Sequence, residues 1–196
     1  MAKKPLPPVS VLCQLLRCDA ENGKLFWKPR TDSDLPAHAG RTSKWRSAAW
    51  NGKLADKEAF TSTNANGYRR GIILGYQALA HRVIWAMHYG EWPVGFIDHV
   101  NGIPDDNRIS NLRLATRSEN GRNRMGALAT SRFKGVSATG GAGLPWVAKI
   151  TLNKKIRHLG RFACEAAAAI AYDRAALELH GEFALTNAMI EARKCL

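Results

Sequence analysis

The sequence predicts an α+β protein built from short strands and helices in two separate parts. Residues Trp146 to Leu152 alternate between apolar and polar side chains, which is typical of a half-buried strand, and an alanine-rich helical segment follows over Glu165 to His180. Upstream, Leu112 to Ala115 predicts a short strand, and Thr116 with Glu119 makes the capping-box pattern that begins a helix.

Composition favours a polyanionic partner. The 196 residues are enough for one large or two small domains, and a hydrophobic content of 45% is ample for packed cores. Lysine and arginine number 29 against 16 acidic residues, and the resulting net charge of +13 favours nucleic acid. No apolar run approaches membrane-spanning length, and the N-terminal residues lack the apolar stretch of a signal peptide. We therefore expect a soluble cytoplasmic protein without a membrane partner.

The four cysteines are not arranged for a structural metal site. Cys13, Cys18, Cys164 and Cys195 form no C-x-x-C pair, which argues against a zinc site of thiolates. We interpret them as reduced thiols.

Residues 1–77 predict a β-rich N-terminal arm. Gly23 to Trp27 and Tyr68 to Leu74 have strand composition, and Gln77 to Ala80 is expected to pair with the second of them. The polar residues 30–65 are predicted to be irregular.

Residues 78–125 predict a helix followed by two short strands and a second helix. His81 to Tyr89 has helical spacing, and Gly90 fits the end of that helix. The capping box that follows the second strand places Asn120 in the first full turn of the second helix, where its side chain can point back at the hairpin.

The remaining residues predict a linker, a second domain and a tail. Small, weakly patterned residues suit a linker over 126–130, and strand and helix patterns fill residues 131–188, with strands also predicted over Lys134 to Ala138 and Lys155 to Phe162. Residues 189–196 are expected to form a C-terminal tail.

The pair Asp98-His99, at the end of the first of those short strands, is the strongest chemical motif. A carboxylate and nearby amides supply hard oxygens for a Mg²⁺-like ion, and histidine can activate a water molecule. A general base beside an oxygen-liganded metal is a layout that cleaves phosphodiesters.

The segment from about His81 to Arg124 resembles the HNH endonucleases, the ββα-metal nucleases, and in particular their phage and homing members. The motifs that carry the resemblance are His81-Arg82, Gly90 with Pro93, Asp98-His99, Asp106-Asn107-Arg108, Asn111-Leu112-Arg113 and Ser118-Glu119-Asn120.

The resemblance implies a role for each matching position. His99 corresponds to the general base, and Asp98 and Asn120 correspond to the ligands of one divalent ion, Mg²⁺ or Mn²⁺. Asn111 corresponds to the middle residue of the motif, which pins the loop and orients the histidine, although a turn role is the alternative. Asp105 and Asp106 are expected to be turn residues, and His81 either packs at a helix start or reaches phosphate or the site. Four arginines are expected to contact phosphate, or else to form a solvated face: Arg113, Arg117, Arg122 and Arg124.

Residues 131–188 resemble the APETALA-two/ethylene-response-factor DNA-binding domain. The matching motifs are Lys134-Gly135-Val136, Trp146 with Ala148 and Ile150, Leu159-Gly160-Arg161-Phe162, Glu165-Ala166-Ala167, Ala171 to Ala176, and Gly181 to Ala184 with Asn187. The resemblance implies a three-stranded antiparallel sheet that enters the major groove, with one helix packed behind it.

Alternation along the strands sorts the residues of this sheet. Trp146 belongs to the apolar set and is expected under the helix, while Cys164 occupies the usual helix-cap position and is expected to weaken the helix start. Lys149 and Thr151 alternate onto the polar side, which is expected to face DNA, and the resemblance implies that Lys134, Ser137 and His158 lie on the same face.

The combined interpretation is a phage-type HNH homing endonuclease that hydrolyses phosphodiester bonds in double-stranded DNA and is aimed by a C-terminal DNA-binding sheet. The implied cofactor is Mg²⁺ or Mn²⁺, with no small-molecule cofactor, and the chain is expected to be a monomer or weak dimer in a bacterial host. One site per chain favours nicking unless two copies meet. The alternatives are a non-catalytic DNA-binding regulator with a degenerate HNH fold and an RNA-binding or RNA-cleaving protein, which the major-groove sheet argues against.

Overall fold

A computed structural model describes residues 5–123, 130–140 and 143–193. Contacts divide the chain into two compact units. The first unit contains the described residues up to His99 together with Ile103–Leu114, and the second contains Val100–Gly102 and the described residues from Ala115 onward. Arg124 and residues 126–129 of the predicted linker lie outside the described residues.

The first unit contains two three-stranded antiparallel sheets and three helices. The sheets have the strand orders β1-β2-β3 and β4-β5-β6, and β7 pairs with β8. The elements are α1 (Val9–Leu15), β1 (Leu16–Asp19), β2 (Lys24–Trp27), α2 (Ser43–Leu54), β3 (Glu58–Ala59), β4 (Ser62–Thr63), β5 (Arg69–Ile73), β6 (Tyr76–Leu79), α3 (Ala80–Tyr89), β7 (Phe96–His99), a 3₁₀ turn (Ile109–Asn111) and β8 (Leu112–Ala115), whose last residue belongs to the second unit.

Helix α3 supplies the centre of the core of this unit. Val83, Ile84 and Ala86 are fully buried, because apolar residues recur on one face of the helix. They pack in one cluster with Leu12 of α1 and Ile73 of β5. The helix ends as predicted at Gly90, whose φ of +81° is a left-handed conformation that favours glycine.

Helix α2 corrects the prediction that residues 30–65 are irregular. Its N-terminus is capped by the side chain of Thr42, which accepts a hydrogen bond from the Trp45 backbone. The helix buries only Ser47 fully, and Trp45 remains half exposed. Trp50 packs edge-on against Trp27, with ring centroids 5.5 Å apart. The sequence therefore shows no apolar stripe at helical spacing, and the pattern that predicts helices is absent.

The β1–β2 turn of the arm packs closely against the loop that precedes β8. Gly23 has a φ of +66°, and a Cβ atom added there would collide with the backbone N of Arg108 and the backbone C of Asn107. The Ile109 backbone also donates a hydrogen bond of 2.8 Å to the Ala20 carbonyl. The arm thus supports the loop that carries Asn107.

The second unit contains one three-stranded antiparallel sheet packed on a helix. The strand order is β9-β10-β11, and α5 packs on the sheet. The elements are α4 (Arg117–Arg122), β9 (Val136–Ala138), β10 (Trp146–Leu152), β11 (Lys155–Phe162), α5 (Glu165–His180), a 3₁₀ turn (Gly181–Phe183) and α6 (Asn187–Arg193).

The predicted strand and helix bounds of this sheet unit hold with two exceptions. Strand β9 begins at Val136 rather than Lys134, because Gly135 adopts a φ of +75° and lies against the ring of Tyr172. Helix α6 occupies the beginning of the expected tail, and its Ile190 side chain is buried. The mixed fold with small antiparallel sheets is confirmed. No helix of the described residues is both long and apolar enough to cross a bilayer.

Candidate functional site

Asp98 lies near the end of β7 and is bound by an arginine of β8. Its Oδ2 atom accepts hydrogen bonds from Nε and Nη2 of Arg113, at 2.8 and 2.6 Å. The side chain of Asp98 is 4% exposed and that of Arg113 is 16% exposed, so water screens this ion pair only weakly. The sequence placed Arg113 among the phosphate-contacting arginines, and in the structure its guanidinium holds the carboxylate of the candidate metal ligand.

His99 follows Asp98 and is held through its Nε2 atom. Nε2 lies 3.0 Å from Oδ1 of Asn107. An amide oxygen only accepts hydrogen bonds, so this contact assigns the ring proton to Nε2 and the lone pair to Nδ1. Burial lowers the pKa of His99, while the Asn107 bond and the charges of Asp98, Asp106 and Asp105 oppose that shift. The ring is therefore neutral near pH 7, as a general base must be.

Asn107 is the residue of this site that sequence reasoning missed. It is almost fully buried and forms a hydrogen bond with His99. It lies within the Asp106-Asn107-Arg108 motif that carries the family resemblance, which was the available signal. A buried asparagine eight residues after a candidate base indicates an orienting partner only once the loop between them is known to close.

Asn111 is buried and ties the same loop together. Its Nδ2 atom donates a hydrogen bond of 2.8 Å to the Asp106 carbonyl, and its backbone N–H donates to the Arg108 carbonyl. Asp106 forms an ion pair with Arg108 at 2.6 Å. These contacts support a loop-pinning role for Asn111 and a turn role for Asp106.

Two rings surround His99. His81 of α3 packs edge-on against it with centroids 5.1 Å apart, and Tyr68 lies 5.7 Å from it. Burial lowers the pKa of His81 to about 3, with smaller contributions from the charges of His99 and Arg82. His81 therefore packs against the candidate base as a neutral ring.

Asn120, the second candidate ligand, lies on α4 in the second unit. The predicted capping box is present, because the Thr116 hydroxyl accepts from the Glu119 backbone and the Glu119 carboxylate accepts from the Thr116 backbone. The Asn120 backbone bonds to the Thr116 carbonyl at 3.0 Å, so Asn120 is in the first full turn as expected. On the same helix Arg117 is exposed and Arg122 is half-buried.

The candidate ligands suit a hard cation. A carboxylate from Asp98 and an amide oxygen from Asn120 are donors that Mg²⁺ and Mn²⁺ accept. Among the residues that the structure describes, no three histidine, cysteine, aspartate or glutamate side chains converge as a metal-binding group. An ion at Asp98 would share that carboxylate with Arg113.

Four of the five predicted DNA-facing residues share the outer face of the sheet. Cross-strand partners lie on the same face, and Val147 is opposite both Ser137 and Arg161, while Lys149 is opposite His158. Thr151 follows two residues after Lys149 on β10 and lies on the same face. The sequence assigned no role to Arg161, which is exposed on this face and belongs to the Leu159-Gly160-Arg161-Phe162 motif.

Lys134, the fifth residue of the predicted DNA-facing set, precedes β9 and is half-buried. Its Nζ atom donates to the Arg122 carbonyl, and its backbone N–H donates to Oδ1 of Asn187. Burial, helped by the charge of Arg193, lowers the pKa of Lys134 to about 8.

The apolar face of the sheet packs on α5. Trp146 packs with Ala168 and Ala169 under the helix, as predicted. Cys164 occupies the N-cap of α5, as expected, and makes no side-chain hydrogen bond there. The carboxylate of Glu165 instead accepts hydrogen bonds from the Ser131 hydroxyl and the Arg132 backbone.

Comparison with protein families finds a match within this chain. Residues 78–122 match the HNH endonuclease family. None of the curated proteins and none of the solved structures compared with the chain matches it. The matched segment contains Asp98, His99, Asn107, Asn111 and Asn120, and it supports a nuclease that acts on DNA.

Proposed function

We propose that the protein is a metal-dependent DNA endonuclease of the HNH homing type, with His99 as its general base. The observation that carries the proposal is the buried Asp98-His99 pair, in which Asn107 holds Nε2 of the histidine, within the segment that matches HNH endonucleases. Duplex DNA is the proposed substrate.

In the proposed reaction, Nδ1 of His99 takes a proton from a water molecule. The water oxygen attacks the phosphorus atom, the bond from phosphorus to the 3′-oxygen breaks, and the departing oxygen takes a proton from solvent water. The products carry a 3′-hydroxyl and a 5′-phosphate. Because Oδ1 of Asn107 accepts a hydrogen bond from Nε2–H, it keeps the basic lone pair on Nδ1 and stabilises the imidazolium that forms.

The proposed ligands of the divalent ion are Asp98 and Asn120, and Asn111 is the proposed loop-positioning residue. A bound Mg²⁺ or Mn²⁺ would supply positive charge that neutralises the scissile phosphate and the departing 3′-oxygen. The bonds from Asn111 to the Asp106 and Arg108 carbonyls support its role, because they fix the loop that carries Asn107.

We further propose that the outer face of the sheet binds the DNA that is cleaved. Lys149, His158 and Arg161 give this face positive or titratable groups, and Ser137 and Thr151 add hydroxyls. A strand pair of this width fits the major groove of B-form DNA. The exposed Arg117 and the half-buried Arg122 of α4 are proposed phosphate contacts, together with Arg124, whereas Arg113 binds the Asp98 carboxylate.

The deciding experiment compares the parent with His99→Ala on supercoiled plasmid in Mg²⁺ or Mn²⁺. We expect the parent to nick the plasmid, and we expect His99→Ala to be slower by about 10³-fold, since a general base contributes about 10² to 10⁴. The matched control is His88→Ala, an exposed histidine of α3, which should cleave at the parent rate. Chelation with EDTA should stop cleavage by every variant.

Two outcomes would contradict the proposal. Equal cleavage by the parent and His99→Ala would remove His99 from the reaction. Tight duplex binding by the parent without cleavage in either metal would instead indicate a DNA-binding regulator.

A further inference from the structure

The second unit contains a cavity of about 370 Å³ at one edge of the sheet. Strand β9 pairs with β10 only as far as Ala148, and the Lys149 backbone then donates to the Gly135 carbonyl. Beyond that point, the Thr151 carbonyl accepts a hydrogen bond of 3.2 Å from Nε2 of His180. The cavity lies along this part of β10, and residues of α4 and α5 complete its wall.

The cavity wall is strongly basic. Four cations line it, namely Arg122, Lys134, Lys149 and Lys154. No aspartate or glutamate is among the described residues of the wall. Within the described part of the chain, none of the four cations forms an ion pair.

The pKa shifts of two residues in the wall reflect its positive charge. The pKa of Lys134 falls to about 8, because of burial and the charge of Arg193. The pKa of His180 is lowered by burial and by the charges of Arg122 and Lys134, against the bond to Thr151. An anion in the cavity would relieve this repulsion.

We propose that this cavity binds a phosphate group, with Arg122, Lys149 and Lys154 as its cationic contacts and the Thr151 and Ser118 hydroxyls as hydrogen-bond donors. Its volume lies in the range of small-ligand sites, so a phosphate group and part of the sugar attached to it fit. The phosphate belongs either to the backbone of a bound DNA strand or to a free nucleotide. The site does not depend on cleavage and holds whether or not His99 is catalytic.

Phosphate binding there has a consequence for the helix that carries Asn120. Ser118 and Arg122 of α4 line the cavity, and Asn120 lies between them on the same short helix. The Lys134 ammonium also bonds the Arg122 carbonyl, at the C-terminal end of α4. A phosphate in the cavity therefore holds α4 against the sheet within the second unit.

The first arm of the test measures the affinity of the full chain for a duplex of about 30 base pairs in EDTA, so that cleavage plays no part. We expect the double variant Arg122→Gln/Lys154→Gln to bind about tenfold more weakly, and the slope of log K against log salt to fall by about one for each phosphate that the variant no longer neutralises. The control is Arg174→Gln/Lys155→Gln, two exposed residues of the same unit that do not line the cavity. Far-UV circular dichroism checks folding, and Lys154→Gln alone, an exposed turn substitution, replaces the double variant if that variant unfolds.

The second arm titrates inorganic phosphate and thymidine monophosphate into the labelled full chain and follows the amide signals of Ser118 and Thr151 by NMR. A loss of DNA affinity in the cavity variant beyond that of the control assigns the phosphate to the DNA strand. If the parent shows saturable NMR shifts that the cavity variant lacks, and that variant binds DNA as well as the control does, the cavity binds a free phosphate ligand. If DNA affinity matches the control and no saturable shift occurs, the cavity does not bind phosphate.

Discussion

At the residue scale, polar neighbours hold both members of the Asp98-His99 pair. Arg113 binds the carboxylate through two hydrogen bonds, and Asn107 binds Nε2 of the imidazole. Both partners lie in the loop and strand that follow, so the pair is oriented by residues later in the chain. A general base works only when its ring orientation and tautomer are held, and both are held here.

We predict that Arg113→Met lowers the free energy of unfolding by about 2 kcal/mol, because it removes two charge-assisted hydrogen bonds from a buried carboxylate. Urea denaturation measures the change. The matched control is Arg117→Met, an exposed arginine, which should change stability by less than about 0.5 kcal/mol. Equal effects of the two substitutions would show that the Asp98–Arg113 contact contributes little.

At the element scale, the β1–β2 turn of the arm supports the loop of the candidate site. A side chain at Gly23 would collide with the backbone of Asn107 and Arg108. Backbone cannot swing aside as a flexible side chain does, so the loop itself would have to move. Since that loop carries a hydrogen-bond partner of His99, the β1–β2 turn contributes to the orientation of the candidate base.

We predict that Gly23→Ala lowers stability by about 3 kcal/mol or more and slows plasmid cleavage by at least about tenfold, since overpacking and a left-handed backbone both cost free energy. The control Gly40→Ala measures the cost of the left-handed backbone without the cost of overpacking. Gly40 has a similar φ of +74°, but a Cβ atom there meets nothing within 4 Å. It should lose only about 1 kcal/mol and keep its cleavage rate, as measured by urea unfolding and plasmid nicking. A Gly23→Ala protein as active as Gly40→Ala would show that the arm does not position the loop.

At the scale of the whole molecule, the candidate base and the proposed DNA-binding sheet belong to different compact units. The formal net charge of +13 attracts the whole chain to DNA without sequence preference. We therefore expect some substitutions to impair DNA cleavage alone and others to impair DNA binding alone.

We predict that His158→Gln/Arg161→Gln weakens duplex binding about tenfold or more and leaves the cleavage rate at saturating DNA within about twofold of the parent. His99→Ala should do the reverse, with normal affinity and little or no cleavage. Fluorescence anisotropy in EDTA and single-turnover cleavage in Mg²⁺ measure the two quantities. An unchanged affinity of the sheet variant would locate DNA binding elsewhere in the chain.

Local patterns were sufficient for much of the fold. The bounds of β10, β11 and α5 follow from alternation and an alanine-rich run, both of which depend on neighbouring residues. The same holds for the capping box of α4 and for Gly90 after α3. Helix α2 escaped prediction because its stability depends on the Trp27–Trp50 contact and a cap rather than on an apolar stripe.

The candidate site divides in the same way. The motif Asp98-His99 is visible in the sequence because adjacent residues carry the chemistry. The partners Arg113 and Asn107 are separated from the pair by 15 and 8 residues, and they meet it only when β7 pairs with β8 and the loop closes. The basic cavity also depends on segments far apart in the chain, from α4, β10 and α5. The sequence alone determines which helices and strands form and which residues can react, because both depend on neighbouring residues. The tertiary structure decides which partners orient the reactive residues, because those partners come from distant parts of the chain.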